Sequence, residues 1–175
     1  MNNGFEDLLA ANEAYAASFS SGGLEGRAAR GLAVVTCMDS RIEPLQMLGL
    51  SKGDAKILRN AGGRVTDGVL RALVLATHLL GVHRVMIVEH TDCRMAKVTD
   101  DQAHHAILEQ SGIDTRSLDF QTIPDQATTL ARDVQRVRSF PYLPAGLAVV
   151  GCLYDVTSGR VRVKVPLEDQ EPAGE

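Results

Sequence analysis

The hydrophobic positions of this chain follow two different patterns. Short apolar runs are typical of strands buried on both faces, and segments with an apolar residue every three or four positions are typical of helices. The predicted strands cover residues 32–36, 55–59, 84–89, 147–156 and 160–165. Because strands alternate with helices, we expect an α/β fold with a largely parallel central sheet flanked by helices. A turn at 157–159 predicts a hairpin between the last two strands, and therefore one antiparallel edge strand.

Helix boundaries are indicated by capping residues. The predicted helices span residues 44–48, 66–80, 100–111 and 124–139. Thr66 or Asp67 is suited to cap the second of these helices. Thr99 and Gln102 have the spacing of a capping box before the third helix, and Pro124 suits the first turn of the fourth.

The first 20 residues have a helical pattern of their own. Their apolar side chains fall mostly at spacings of three and four positions, and include Phe5, Leu8, Leu9, Tyr15, Ala16 and Phe19. This spacing predicts an amphipathic N-terminal helix. Such a helix needs an apolar partner.

Length and charge limit the class of protein. The chain has 175 residues, 45% of them hydrophobic, which suits one domain, predicted here to span residues 1–167. Residues 168–175 carry four of the acidic side chains and no Lys or Arg, so the remainder of the chain is near neutral. A neutral body gives no electrostatic footprint for nucleic acid or an anionic membrane. With no signal-peptide pattern and no membrane-spanning apolar run, we expect a cytoplasmic protein with a disordered acidic tail.

The three cysteines are too few, and odd in number, for a secreted disulfide scaffold. Cys152 lies within an apolar run and is predicted to be a small core residue. Cys37 and Cys93 instead stand beside other polar residues that can take part in chemistry.

Two short motifs predict a metal site. Cys37 follows the first predicted strand directly, and His90 follows the third, with Cys93 three positions later. The carboxyl ends of parallel strands meet at one edge of the sheet, so these residues can converge there. Two thiolates and an imidazole favour zinc over magnesium or calcium, and leave one coordination position open for catalysis.

Asp39 and Arg41 add catalytic potential to this site. Zinc can lower the pKa of bound water to about 7, although two thiolates should make the ion less acidic than three imidazoles would. An ionised Asp39 could accept the proton of that water, and Arg41 could hold the carboxylate off the metal. Without that hold, Asp39 could become a fourth zinc ligand in a closed state. Spacing alone also permits an ordinary surface ion pair between the two.

Three segments together resemble the β-class carbonic anhydrases, in particular their compact bacterial branch. The resemblance runs from about Leu32 to Lys164 and rests mainly on Cys37-Met-Asp-Ser-Arg41, Arg59-Asn-Ala-Gly-Gly-Arg-Val65 and Glu89-His-Thr-Asp-Cys93. It implies one Zn²⁺ per subunit, held by Cys37, His90 and Cys93, with Asp39 and Arg41 as the catalytic dyad. The implied reaction is the reversible hydration of carbon dioxide to bicarbonate by a zinc-bound hydroxide. The implied assembly is a homodimer or a dimer-based oligomer in which the N-terminal helix packs on the partner subunit.

Several points remain open at the level of sequence. Ala61, Gly62 and Val65 are the residues assigned to an apolar substrate pocket. Arg94 stands where the family commonly has glycine, and it either points to solvent or narrows the entrance to the site. The same zinc hydroxide could attack carbonyl sulfide or carbon disulfide instead. A non-catalytic zinc-binding protein is a further alternative, against which Asp39 and Arg41 argue.

Overall fold

The computed structural model describes residues 4–168. Its five strands are β1 (Leu32–Cys37), β2 (Ala55–Asn60), β3 (Arg84–His90), β4 (Ala148–Tyr154) and β5 (Val161–Val165). They form one sheet in the order β2-β1-β3-β4-β5, in which the first four strands are parallel and β5 pairs antiparallel with β4. The predicted fold class is therefore confirmed, including the antiparallel edge strand.

The helices are α1 (Glu6–Ala17), α2 (Pro44–Met47), α3 (Asp67–Leu79), α4 (Asp100–Ser111) and α5 (Gln126–Arg138). Thr66 caps α3, because its hydroxyl accepts a hydrogen bond from the backbone N–H of Val69. Thr99 and Gln102 form both halves of the predicted capping box at α4.

Two predicted boundaries were wrong by two residues, at the start of α5 and at the end of β4. The α5 helix begins after Asp125, whose carboxylate caps it, so Pro124 precedes the cap instead of lying in the first turn. Strand β4 ends at Tyr154, two residues earlier than expected. The reason is that the Asp155 carboxylate accepts hydrogen bonds from the backbone N–H groups of Thr157 and Ser158, which starts the turn.

Strand β1 lies inside the sheet between β2 and β3, and all six of its residues are buried. Ala33 and Val35 pack with the apolar sides of α3 and α5, whereas Leu32 and Val34 pack on the opposite face with Val88 and Cys152. Cys152 is completely buried, which raises the pKa of its thiol to about 11 and keeps it neutral. It is a core residue, as predicted.

The order of the strands creates a crevice at the carboxyl edge of the sheet. From β1 the chain passes to β2 on one side and then to β3 on the other. At such a point of reversal the loops diverge, and ligands commonly bind between them. Cys37 is the last residue of β1 and His90 the last residue of β3, so both lie at this position.

Helix α1 contributes nothing to the described core. None of its residues is buried, and Leu8 and Leu9 are 60% and 62% exposed. The predicted helix is present within residues 1–20, but its apolar side chains find no core to cover them within residues 4–168. Residues 169–175 of the predicted acidic tail lie outside the described residues. No helix in the described part of the chain is long and apolar enough to cross a membrane.

Candidate metal centre

The two motifs converge at the carboxyl edge of the sheet. One ligand atom each of Cys37, His90 and Cys93 lies within 4.8 Å of the other two. All three side chains are buried, with at most 5% of their surface exposed. This is the cluster in which the sequence predicted a metal.

His90 presents a free nitrogen to the cluster. Its Nδ1 lies 2.8 Å from the carbonyl oxygen of Thr91, so Nδ1 carries the hydrogen and donates it. Its Nε2 is buried and has no hydrogen-bond partner. A buried polar atom without a partner is costly. A cation coordinated by Nε2 would remove that cost.

The two thiols also fit a cation. Interaction with Cys93 lowers the pKa of Cys37 well below its ordinary value, despite burial, and the pKa of Cys93 is raised in turn. The pair therefore stabilises at least one thiolate beside the imidazole of His90. Two sulfur ligands and one nitrogen form a donor set that suits zinc.

Asp39 and Arg41 form a closed pair beside the cluster. Arg41 donates from Nε to Asp39 Oδ1 at 2.9 Å and from Nη2 to Oδ2 at 2.8 Å, and its backbone N–H also donates to Oδ1. These hydrogen bonds hold the pKa of Asp39 far below its usual range. Asp39 Oδ2 lies 3.9 Å from His90 Nε2. An ionised carboxylate therefore borders the predicted coordination site.

Arg59 is a member of the site to which sequence reasoning gave no role. From β2 it donates Nε to the carbonyl oxygen of Cys37 at 3.0 Å and Nη2 to that of Asp39 at 2.7 Å. It thereby fixes the backbone on which the ligand and the acid are carried. Arg59 lies opposite Thr36 in the pairing of β1 with β2. An alignment of these two predicted strands by their carboxyl ends would have placed Arg59 beside Cys37.

A tight glycine turn supports the end of β1. Gly63 has a positive φ of 68°, and a Cβ atom there would lie 3.0 Å from the backbone nitrogen of Cys37. Gly62 also has a positive φ and approaches the side chain of Met95, which packs against the cluster of Cys37, Ile42 and Cys93. Of the other predicted pocket residues, Ala61 is half-buried and Val65 lies completely buried in the main core.

Glu89 is a buried acid that sequence reasoning left without a role. Neither carboxyl oxygen has a hydrogen-bond partner, and burial, with the nearby Asp133 carboxylate, raises its pKa to about 8. Asp133 itself is paired with Arg64, whose Nε lies 2.8 Å from Oδ2. An acid inside an otherwise apolar strand is the sequence signal for such a group.

Arg94 is exposed and lies in a short 3₁₀ turn after Cys93. It lines a separate cavity of about 250 Å³ with Val98, Ile107 and Phe120. Of the two orientations considered, the structure therefore favours the one directed to solvent.

The fold and the cluster together define a class: an α/β protein with a largely parallel sheet and a buried cluster of two thiols and one imidazole at the carboxyl edge of that sheet. The sequence profile of the family described as carbonic anhydrase matches residues 32–161. The chain belongs to the β-carbonic anhydrase family.

Individual relatives agree with this assignment. Beta-carbonic anhydrase 1 from Mycobacterium tuberculosis is 34% identical over 161 residues, covering 92% of this chain and 98% of the relative. The crystal structure of carbonic anhydrase from Streptococcus mutans superimposes with a TM-score of 0.85 at 36% identity, covering 91% of this chain and 96% of the other. A carbon disulfide hydrolase from Acidithiobacillus thiooxidans is 30% identical, and the match covers 76% of this chain and 76% of the relative.

Proposed function

We propose that this protein is a zinc-dependent carbonic anhydrase that catalyses the reversible hydration of carbon dioxide to bicarbonate and a proton. The observation that carries the proposal is the buried, unpartnered Nε2 of His90. It faces two thiols and has an ionised oxygen of Asp39 3.9 Å away. The relatives named carbonic anhydrase, which match nearly the whole chain, support the same reaction.

Each residue has a distinct part in this proposal. Cys37, His90 and Cys93 hold the zinc ion. When bound, zinc supplies the Lewis acidity that lets water lose a proton near neutral pH. Asp39 accepts a hydrogen bond from the reacting water and so directs a lone pair of that water toward carbon dioxide.

Arg41 keeps Asp39 available for that task. Both carboxylate oxygens of Asp39 accept hydrogen bonds from the guanidinium. Neither oxygen can turn toward the metal without losing a charged hydrogen bond to Arg41. Released from Arg41, Asp39 could become a fourth ligand and close the site. The Arg41 contact therefore separates an open, active site from a closed one.

The proposal is tested by removing Arg41. We expect Arg41→Ala to retain one zinc per chain and to lose carbon dioxide hydration by about a hundredfold, the scale of a lost acid–base contact. Hydration is followed by stopped-flow indicator assays from pH 7 to 9, beside a direct zinc measurement.

Arg116→Ala is the matched control. Arg116 makes the same set of contacts to Asp114, two residues before it, at a distant exposed position. We expect this variant to be fully active. Full activity in Arg41→Ala, or zinc-loaded wild type inactive across this pH range, would contradict the proposed mechanism. The second result would revive the non-catalytic alternative.

The substrate is tested on the same preparation. One relative of this chain is named a carbon disulfide hydrolase, so a sulfur substrate is the alternative to test. Its identity to this chain and the share of the chain that it covers are lower than those of the mycobacterial carbonic anhydrase. We expect hydration of carbon dioxide to exceed sulfide release from carbon disulfide or carbonyl sulfide. The opposite order would assign the protein to the alternative activity.

We also propose that the protein forms a homodimer through α1. The exposed Leu8 and Leu9 would then be covered by a second copy, which would compensate for their cost in water. Light scattering after gel filtration tests this proposal with Leu8→Glu/Leu9→Glu, which should shift the mass toward the monomer. A wild-type protein of monomeric mass would refute it.

A further inference from the structure

We infer that Asp92 is a positioning residue that anchors Arg41 from the metal-binding loop and thereby holds the Asp39–Arg41 pair in register with the metal ligands. Asp92 lies between His90 and Cys93, and its carboxylate reaches the guanidinium of Arg41. The catalytic consequence rests on the function proposed above, but the contact itself does not.

The guanidinium of Arg41 is held on two edges. Nε and Nη2 donate to Asp39, whereas Nη1 donates to Asp92 Oδ2 at 2.8 Å. Nη2 also lies 3.4 Å from the backbone carbonyl oxygen of Asp92. The contact with Asp39 alone would leave the guanidinium and that carboxylate free to move together relative to the metal-binding loop. A second carboxylate on another edge fixes the plane of the group, because the donors of Arg have a rigid fork geometry.

The second anchor is itself fixed to the sheet. Asp92 adopts a positive φ of 59°, a conformation that Asp and Asn tolerate better than most residues. The preceding Thr91 donates its backbone N–H to the carbonyl oxygen of Tyr154 at 2.9 Å, and its hydroxyl accepts from Val156. The Asp92 contact therefore connects the loop after β1 to a loop already secured on β4.

Charge along this chain of contacts alternates. Asp39 and Asp92 are negative, and Arg41 lies between them. Lys97 forms an ion pair with the other oxygen of Asp92. Lys97 therefore compensates the charge of Asp92, so that Asp92 can bind Arg41 without leaving an excess negative charge beside the metal site. The four formal charges sum to zero.

A second Asp-x-Arg pair in the same chain isolates what Asp92 adds. Asp114 and Arg116 repeat the side-chain and backbone hydrogen bonds of Asp39 and Arg41. Within residues 4–168 no further acid forms an ion pair with Arg116, and its side chain is 77% exposed, against 45% for Arg41. An Asp-x-Arg pair therefore forms these hydrogen bonds without a second acid. The extra carboxylate is what distinguishes the pair beside the metal ligands.

The test uses two substitutions that tolerate a positive φ. Asp92→Gly removes the anchor completely, and Asp92→Asn keeps the shape and an acceptor oxygen but removes the charge. On the zinc-loaded protein, the Nε–Hε signals of Arg41 and Arg116 are resolved by ¹⁵N NMR, and their exchange with water is measured. We expect Arg41 exchange to accelerate about fivefold in the glycine variant and less in the asparagine variant. This is the scale of one partly exposed ion pair. Arg116 is the internal reference and should not change.

Activity provides the second readout. We expect kcat for carbon dioxide hydration to fall about fivefold in Asp92→Gly, with partial retention in Asp92→Asn and with KM and zinc content unchanged. Asp101→Ala, which removes an exposed acid from α4, should leave kcat unaltered. Unchanged Arg41 exchange in both variants would overturn the inference, and so would equal acceleration at Arg116 or loss of zinc. If wild type lacks hydration activity, the proposed function fails, but the exchange measurement still decides whether Asp92 holds Arg41.

Discussion

Replacing Gly63 by alanine should distort the candidate metal site without replacing any of the three residues proposed to hold the metal. A Cβ atom at this position would lie 3.0 Å from the backbone nitrogen of Cys37 and 3.1 Å from the carbonyl carbon of Thr36. These are backbone atoms of the buried strand β1, and they have no rotamer by which to move away. The loop is also closed from its other side, because Asn60 exchanges two hydrogen bonds with the backbone of Arg64. We therefore expect the end of β1 to shift, and the Cys37 sulfur to move with it.

Two costs contribute to the loss of stability. Gly63 has a φ of 68°, and holding alanine in this left-handed region costs about 1–2 kcal/mol. Overpacking against the backbone adds about 1–3 kcal/mol. Gly112 provides the matched control, since its φ is 73° but nothing lies within 4 Å of its missing Cβ. Gly112→Ala should therefore show only the first cost.

Urea unfolding measures the free energies of both variants, and competition with a zinc chelator measures their affinity for the metal. We expect Gly63→Ala to lose about 2–5 kcal/mol of the free energy of unfolding, and zinc affinity about tenfold or more, as for other disturbed supports of metal ligands. Gly112→Ala should keep its zinc affinity. If the two variants lose equal stability and bind zinc equally, the close approach to β1 has no energetic consequence and the reasoning is refuted.

Three further predictions concern two buried acids and one acid that holds a loop by hydrogen bonds. Asp133→Asn leaves Arg64 buried without its anionic partner, so urea unfolding should show a loss of about 3–5 kcal/mol, and a loss below 1 kcal/mol would contradict this. Asp100→Asn weakens hydrogen bonds to the segment 120–122 and should cost about 1–2 kcal/mol at pH 7. These contacts lower the pKa of Asp100 on folding, so the difference should shrink as the pH falls below about 4, and a gap that widened in acid would be evidence against it. Burial raises the pKa of Glu89 to about 8 in the folded state, whereas in the unfolded chain its carboxyl group ionises near the ordinary pKa. Between these two values the free energy of unfolding falls as the pH rises, by at most about 1.4 kcal/mol per pH unit. Glu89→Gln should therefore gain stability over wild type as the pH rises from 5 to 8, and parallel stability curves for the two proteins would contradict this.

The sequence predicted the elements whose causes are local. The capping box of Thr99 and Gln102 needs only four consecutive residues, and both of its hydrogen bonds are present. Cys37 and His90 were located at strand ends for a similar reason, since each follows a short and mainly apolar run. The start of α5 was missed because Pro124 and Asp125 are both suitable there, and only the cap that forms decides between them.

Contacts between distant segments had no such signal. Arg64 and Asp133 are separated by 69 positions, and nothing in the spacing of charged residues indicates that they pair. Asp92 was passed over because a single acid between two metal ligands is unremarkable as a pattern. Its role depends on the position of Arg41 in the loop after β1. That position relative to Asp92 follows from the pairing of β1 with β3, which the motif alone does not reveal.

The last two residues of β3, Glu89 and His90, both carry buried polar atoms without a hydrogen-bond partner, and the two are neutralised in different ways. Successive side chains of a strand point to opposite faces, so Glu89 and His90 are directed to different sides of the sheet. Both are buried with polar atoms that have no hydrogen-bond partner. Glu89 shares its surroundings with the Asp133 carboxylate, and a proton is sufficient to neutralise it, as its raised pKa indicates. His90 Nε2 faces two sulfur atoms that already favour negative charge, where a proton satisfies one atom at most and a divalent cation satisfies all three. The same unsatisfied state therefore has a structural meaning on one face of the sheet and, in the proposed function, a metal-binding meaning on the other.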